Sequence, residues 1–375
     1  MIIELEELVK NGEIEIKTGP FGTQLKAAEY VESGTPVLNV KNLGYSTVVT
    51  TKVDYVGEKT LERLSMHILK EGDIVFGRKG AVDRHAYIGA NEAGWMQGSD
   101  CIRLRVKTNK INPRYLSYYF LTPKHKAFMI SMCSHGTTMA SLNQGILSKI
   151  EIDLPERCIQ DRIVSIIAVL DKKRKTNEKL NKTLEQQAQA IYSRMFIEHR
   201  QESWSTGQLS DLISVKYGKD HKKLADGNYP VYGSGGIMRY VEKPLYTGES
   251  VLIPRKGTLN NIMYVNEAFW SVDTMFYTEM LRPNIAKFVY HFVKSKDLVS
   301  LNAGSAVPSM TTNILNAMQL YIPNEKTLEK FENIVSPMYS AMQENTKESK
   351  ILANTRDALL PKLMSGELDV SDIDL

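Results

Sequence analysis

Two stretches of this chain place an arginine and a lysine ahead of a glycine at the end of a β-rich run. They are Ile74-Val75-Phe76-Gly77-Arg78-Lys79-Gly80 and Val251-Leu252-Ile253-Pro254-Arg255-Lys256-Gly257. A strand that delivers a glycine-bounded loop presents two cations where backbone can approach a phosphate closely, and an arginine can also take a guanine edge with two hydrogen bonds. Hydroxyl, imidazole and amide groups occupy two further loops: His135, Thr137, Thr138 and Asn143 in the first half, and Ser305, Ser309, Thr311, Thr312 and Asn313 in the second. Such loops suit hydrogen bonding to base edges. Lys17, Thr18, Thr23, Gln24 and Lys26 surround a first glycine-rich turn, and Ser234 and Arg239 flank Gly235-Gly236 in the corresponding region of the second half. Binding of a polyanion, with polar groups available for base edges, is the chemistry these residues allow. Ordinary solvated turns would carry the same residue types.

Catalytic patterns are missing. An S-adenosylmethionine-dependent methyltransferase needs a glycine-rich turn after a strand and, for amino-group transfer, Asn or Asp followed by Pro-Pro and an aromatic; neither occurs. No Gly-x-x-x-x-Gly-Lys run followed by Ser or Thr is present for nucleotide binding. The histidines, seven in all, show no ligand spacing. Asp73 and Lys79 could be paired as part of a nuclease centre, but chance supplies such pairs in so charged a chain. Tyr115, Tyr118, Tyr119 and Phe120 fall at helical spacing typical of core packing rather than base stacking. Lys172-Lys173-Arg174-Lys175 reads equally as a solvated helix face or as a strip that adds sequence-independent affinity for a polyanion.

The elements that must position these groups are bounded by the chain as a whole, whose 375 residues and 42% hydrophobic content suffice for two domains plus connecting segments. Lys and Arg number 47 against 43 Asp and Glu, a mild basic excess that permits an anionic partner without requiring one. Cys101, Cys133 and Cys158 are odd in number and widely spaced, which argues against a disulfide framework or a zinc site and for a reducing compartment. No apolar run approaches the roughly 18 to 20 residues of a membrane span. Glu4, Glu6 and Glu7 stand where a basic export leader would. A cytoplasmic protein without a membrane partner is expected.

The chain repeats itself once, at a separation of about 170 residues, the scale of a duplicated domain. Each half opens on a short amphipathic piece, Glu4–Leu8 and Gln208–Leu212, followed by a turn and strand, Gly34-Thr35-Pro36-Val37 and Asn228-Tyr229-Pro230-Val231. The Arg-Lys-Gly loops come next. Gly136-Thr137-Thr138 answers Gly304-Ser305-Ala306, Ile146-Leu147 answers Ile314-Leu315, and each half closes on a strand stopped by Pro155 or Pro323. Cys101–Val106 and Met275–Thr278 read as strands, each followed by a helical stretch after Pro113 or Pro283.

Beyond each closing proline the pattern turns helical. From about Ile159 to Phe196 there is neither Gly nor Pro, giving one helix of about 57 Å at about 1.5 Å per residue. Ile163, Ile167, Leu170, Leu184, Ala188, Ile191 and Met195 form its apolar stripe, with Asn177 and Asn181 in a polar middle. The second run, about Thr327 to Met364, carries Phe331, Ile334, Met338, Met342, Leu352, Leu359 and Leu363, with Asn345 in its middle. Pro337 and Pro361 predict a kink and a break there. Two similar halves facing one partner predict an antiparallel helix pair, with Asn177 and Asn345 fixing register.

The order of these elements resembles the specificity subunits of type I restriction-modification enzymes, over almost the whole chain. Gly19-Pro20-Phe21-Gly22-Thr23-Gln24-Leu25-Lys26, the two Arg-Lys-Gly loops, the proline-terminated strands feeding long helices, and Leu359-Leu360-Pro361-Lys362-Leu363-Met364-Ser365-Gly366-Glu367-Leu368 carry the resemblance. It implies a mixed α/β fold with a pseudo-two-fold internal repeat: two similar α/β target-recognition domains separated by two long antiparallel coiled-coil helices. Residues 1–157 and 199–323 are then the recognition domains, 158–198 and 324–368 the spacer helices, and 369–375 a tail. Each domain would read half of a split site on double-stranded DNA, and two methyltransferase subunits would dock on the helices. Restriction and translocase subunits are further candidate partners, and S-adenosylmethionine, ATP and Mg would belong to partners rather than to this chain. The Gly-Pro-Phe-Gly element has no counterpart in the second half, where Tyr217-Gly218-Lys219-Asp220 stands, so the two domains are expected to read different sequences and to differ in their N-terminal lobes. A divergent nuclease hidden in one half is the rival reading. A coiled-coil assembly factor without a DNA role is a third, disfavoured by the duplicated basic loops.

Overall fold

The computed structural model describes residues 2–133, 140–301 and 309–371. His135, Thr137, Thr138 and Ser305 lie outside them. Two compact units emerge, Met1–Thr176 with Glu348–Leu375 and Asn177–Lys347, so each contains part of both long helices.

In the first unit a four-stranded sheet runs in the order Ile14–Thr18, Cys101–Val106, Ile74–Gly77, His85–Tyr87. The alternation in Cys101–Val106 and the unbroken apolar run Ile74-Val75-Phe76 put these strands at the centre, buried by neighbours on both faces. A second, smaller sheet holds Tyr30–Val31, Asp54–Val56, Thr35–Leu38 and Met96–Gln97, with Thr35–Leu38 and Met96–Gln97 parallel. Ile2–Glu4 pairs antiparallel with Glu151–Asp153 and joins the start of the unit to its end.

The second unit repeats this path. Ile213–Tyr217, Met275–Met280, Tyr246–Pro254 and Met263–Ser271 take the same order, and the sheet continues into Asp226–Gly233 and Gly236–Val241. Asp226–Gly233 joins parallel to Met263–Ser271, matching the parallel pair of the first unit. Ser205–Gln208 pairs with Gln319–Ile322 as the closing ladder. Among the described residues the repeated strand segments therefore correspond to equivalent structural elements. The opening amphipathic pieces become the helix Leu5–Lys10, with Leu5 and Leu8 buried, and a single 3-10 turn, Leu209–Asp211.

The first long helix is Arg157–Tyr192, prolonged by a π-helical turn, Ser193–Glu198; the second is Glu325–Met364. Within each unit their segments run antiparallel. Lys173 pairs with Glu348 at 3.3 Å and Asp171 with Arg356 at 3.2 Å in the first unit. In the second, Asn177 Nδ2 donates to the Asn345 carbonyl at 3.3 Å, Asn345 Nδ2 to Asn181 Oδ1 at 2.8 Å, and Asn181 Nδ2 to the Met342 carbonyl at 3.1 Å. Asn177 is buried, so shifting the helices would strand amide groups, the way a buried Asn holds register in coiled coils. Helix ends are built into the cores: Ile163 and Ile167 with Leu360, Leu363 and Met364 in one, Ala188, Tyr192 and Phe196 with Phe331, Val335 and Tyr339 in the other.

Two expectations need correcting. The second helix does not break near Pro361, and it runs unbroken through Pro337 as well. Buried Phe331, Val335 and Tyr339 bracket Pro337, and buried Leu360, Leu363 and Met364 surround Pro361, so packing holds the helix across each missing amide bond. Second, Gly19 does have a backbone counterpart. Its N–H donates to the Cys101 carbonyl at 2.8 Å, and the Gly218 N–H donates to the Met275 carbonyl at 3.0 Å, in each case to the first residue of the neighbouring strand. An added Cβ would lie 2.0 Å from the Gly98 oxygen in one and 2.0 Å from the Val272 oxygen in the other, so close approach of backbone demands glycine at both.

Candidate nucleic-acid interface

Each Arg-Lys-Gly loop leaves the central sheet from the end of a buried strand and is pinned by the same bonds. The Arg78 N–H donates to the Asp100 carbonyl at 2.8 Å and the Arg255 N–H to the Thr274 carbonyl at 2.9 Å. The Arg78 carbonyl accepts from Leu142 N at 2.8 Å, and that of Arg255 from Met310 N at 2.9 Å. Lys79 bridges to Ser141 and Lys256 to Ser309. Gly80 and Gly257 turn the chain at φ values of +74° and +87°, a left-handed conformation that favours glycine. The loop backbone is thus tied to its neighbours, and both lysines are left exposed.

Stretches distant in sequence meet at each loop. In the first unit Gln144 Nε2 donates to Thr18 Oγ1 at 2.9 Å, and the Arg78 guanidinium lies 5.6 Å from the centroid of the Phe21 ring. In the second the Arg255 guanidinium lies 5.4 Å from the Tyr217 ring centroid and donates to the Asp273 carbonyl at 3.2 Å. A Cβ on Gly257 would touch Ser234 Oγ at 3.0 Å, and the Ser234 carbonyl accepts from Asn261 Nδ2 at 2.7 Å. Thr18 and Arg78 are therefore neighbours in one assembly, as are Ser234, Arg255 and Lys256 in the other.

Other sequence candidates have local duties. Asn143 Oδ1 and Thr311 Oγ1 cap the short helices Gln144–Ser148 and Thr312–Asn316 by accepting from Ile146 N and Ile314 N, leaving Thr312 and Asn313 in the first turn of the latter. Lys17 sits half-buried mid-strand opposite Arg103. Thr23 and Gln24 lie exposed in the turn Gly22–Gln24, where Arg63 Nη1 donates to the Gln24 carbonyl at 2.8 Å; Lys26 caps the next turn, Ala27–Glu29. Arg239 is committed to Asp226 at 2.8 Å and to the Leu224 carbonyl at 2.9 Å.

Sequence reading missed a second basic cluster. Arg84 and Lys126 lie 5.6 Å and 4.7 Å from the Tyr45 ring centroid, and Tyr45 donates to Asp83 Oδ2 at 2.8 Å. The hydrogen bond to the Asp83 carboxylate, with burial, pushes the Tyr45 hydroxyl above its ordinary range. No sequence signal links these residues. The tyrosines and phenylalanine at 115, 118, 119 and 120 are core residues, as their spacing predicts.

Among the described residues no group of three or more His, Cys, Asp or Glu side chains is placed to hold a metal ion, and no helix is long and apolar enough to cross a membrane. A repeated basic loop on a duplicated α/β unit is the arrangement that the two halves share. The sequence profile of the type I restriction modification DNA specificity domain matches residues 7–186 and 201–353. The chain belongs to that family. Over 93% of its length it is 21% identical to the type I restriction enzyme MjaIX specificity subunit of Methanocaldococcus jannaschii, of which it covers 90%. Over 90% of its length it is 25% identical to the putative type I restriction enzyme MjaX specificity subunit of the same organism, covering 88% of that subunit. Its fold is similar to the type I restriction-modification system S subunit from M. genitalium, with a TM-score of 0.58 over 99% of this chain and 96% of that one, at 17% identity.

Proposed function

We propose that this chain is the non-catalytic DNA-reading subunit of a type I restriction-modification complex, each globular half reading one part of a bipartite site. The observation that carries the reading is the duplicated loop: one basic motif, held by equivalent backbone bonds, with an arginine beside an aromatic ring, in each of two units. Lysine and arginine contacts to phosphate give affinity and register, and loop side chains at base edges give sequence. The long helices set the spacer and dock two methyltransferase subunits. S-adenosylmethionine, ATP and Mg belong to these and to restriction or translocase partners, and the complex works in the cytoplasm where its DNA lies. Purified alone, the chain neither methylates nor cleaves.

Replacing Arg78 and Lys79 by Ala should weaken one half-site only, and replacing Arg255 and Lys256 the other. Removal of one phosphate-binding cation lowers the slope of log affinity against log salt by about 1. Binding titrations of the reconstituted complex on sites mutated in either half check this, and two double variants indistinguishable from the parent would make the loops surface decoration.

A further inference from the structure

We propose that Phe21 and Tyr217 are positioning residues of the DNA interface, aromatic platforms that hold the loop arginines Arg78 and Arg255 in their reading orientation. This rests on the DNA-reading function proposed above.

Both rings are large, apolar and solvent-facing, at 57% and 52% exposure. Each lies within the roughly 6 Å at which a cation gains from a ring face. Chain path alone does not explain the coincidence, because the two aromatics reach this place by different routes. Gly19 and Gly218 are equivalent backbone positions, yet Phe21 comes two residues after the first and Tyr217 one residue before the second. Different local sequences thus arrive at one arrangement. Tyr217 is itself held from the side by Phe276, ring centroids 5.1 Å apart and steeply inclined at 67°.

A free arginine carries many rotamers, and ordering it on contact with DNA costs affinity. A ring face favours the guanidinium plane in one place while leaving outward the N–H groups not otherwise bonded (in Arg255 all but the Nη1 that donates to the Asp273 carbonyl), and these donate to phosphate or to a guanine. Among the described residues neither guanidinium is ion-paired to a carboxylate; the neighbouring Asp100 is instead 3.9 Å from Lys79. The platforms therefore orient the arginines without neutralising them.

The test is a double-mutant cycle in the complex reconstituted with its methyltransferase subunits, titrated on duplexes altered in one half-site at a time. Phe21→Ala should weaken binding of the first half-site about two- to fivefold, the range of an exposed cation–aromatic contact. It should leave the salt slope as in the parent, because Arg78 and its charge remain, whereas Arg78→Ala lowers that slope. Adding Phe21→Ala to Arg78→Ala should cost nothing further, Phe21→Tyr should keep parental affinity, and Phe21→Leu, which keeps apolar bulk, should behave as Ala does. Tyr217→Phe and Tyr217→Leu repeat the comparison on the other half-site. Additive losses, or a Leu variant equal to the parent, overturn the platform role, whereas a parent complex with no sequence-specific binding overturns the reading beneath it.

Discussion

Asp73 decides whether a nuclease could be hidden beside the first basic loop. Its buried carboxylate takes 2.7 Å and 2.6 Å bonds from Arg105 Nε and Nη2 and a 2.8 Å bond from the Lys70 N–H. Every one of these bonds serves the fold, and the hydrogen bond to Asp73 raises Arg105 above its ordinary pKa. Lys79 points to Asp100 instead. Asp73→Ala should accordingly cost about 3 to 5 kcal/mol of stability, the scale for stranding one partner of a buried pair, read as a lower denaturant midpoint. A variant of parental stability that lost DNA cleavage by the isolated chain would favour the nuclease. At this scale the cations were legible, because strand-then-Arg-Lys-Gly recurs. Their aromatic partners were not, since each lies far away in sequence and only the folded sheet brings it near.

The helix Ala286–Lys294 shows how an element is locked to both long helices within the second unit. His291 is buried there, Nδ1 bonded to Gln189 Oε1 at 2.7 Å and Nε2 accepting from the Tyr339 hydroxyl at 2.9 Å. With Gln189 Oε1 as the acceptor the ring carries a proton on Nδ1, and burial, which disfavours the charged ring, leaves Nε2 free to accept from Tyr339. Burial, helped by nearby Lys294, lowers its pKa to about 4. The unfolded chain, with an ordinary histidine near 6.5, binds the proton first as pH drops. Stability from His291 is therefore complete above about pH 6.5 and is lost as pH falls toward 4, at up to about 1.4 kcal/mol per pH unit. Unfolding followed by Trp204 and Trp270 fluorescence in a Trp95→Phe background should show this slope, and His291→Gln should reduce it; an unchanged slope would contradict the assignment. The helices themselves were legible from stripe and composition. Continuity through Pro361 was not, because burial of Leu360, Leu363 and Met364 outweighs a local breaker. Strands as short as Tyr30–Val31 and Met96–Gln97 carry too few residues for any period to register.

For the whole molecule, duplication was readable in sequence because turn residues and closing prolines recur in order. The six-strand order of the second unit was not, since pairing of distant strands leaves no local pattern. The first long helix is continuous through Lys179, so four residues inserted there lengthen it by about 6 Å, close to two base-pair steps. The reconstituted complex should then prefer a longer spacer with unchanged bases in each half; an unchanged spacer would remove the helices from that role. In the proposed function each globular half reads its own part of the site. The most direct measurement of this is the sequence of sites methylated by a complex whose residues 199–323 are replaced by the equivalent half of a relative. One half of the bipartite motif should change and the other stay as in the parent, whereas change in both halves, in neither, or a single contiguous motif would contradict it.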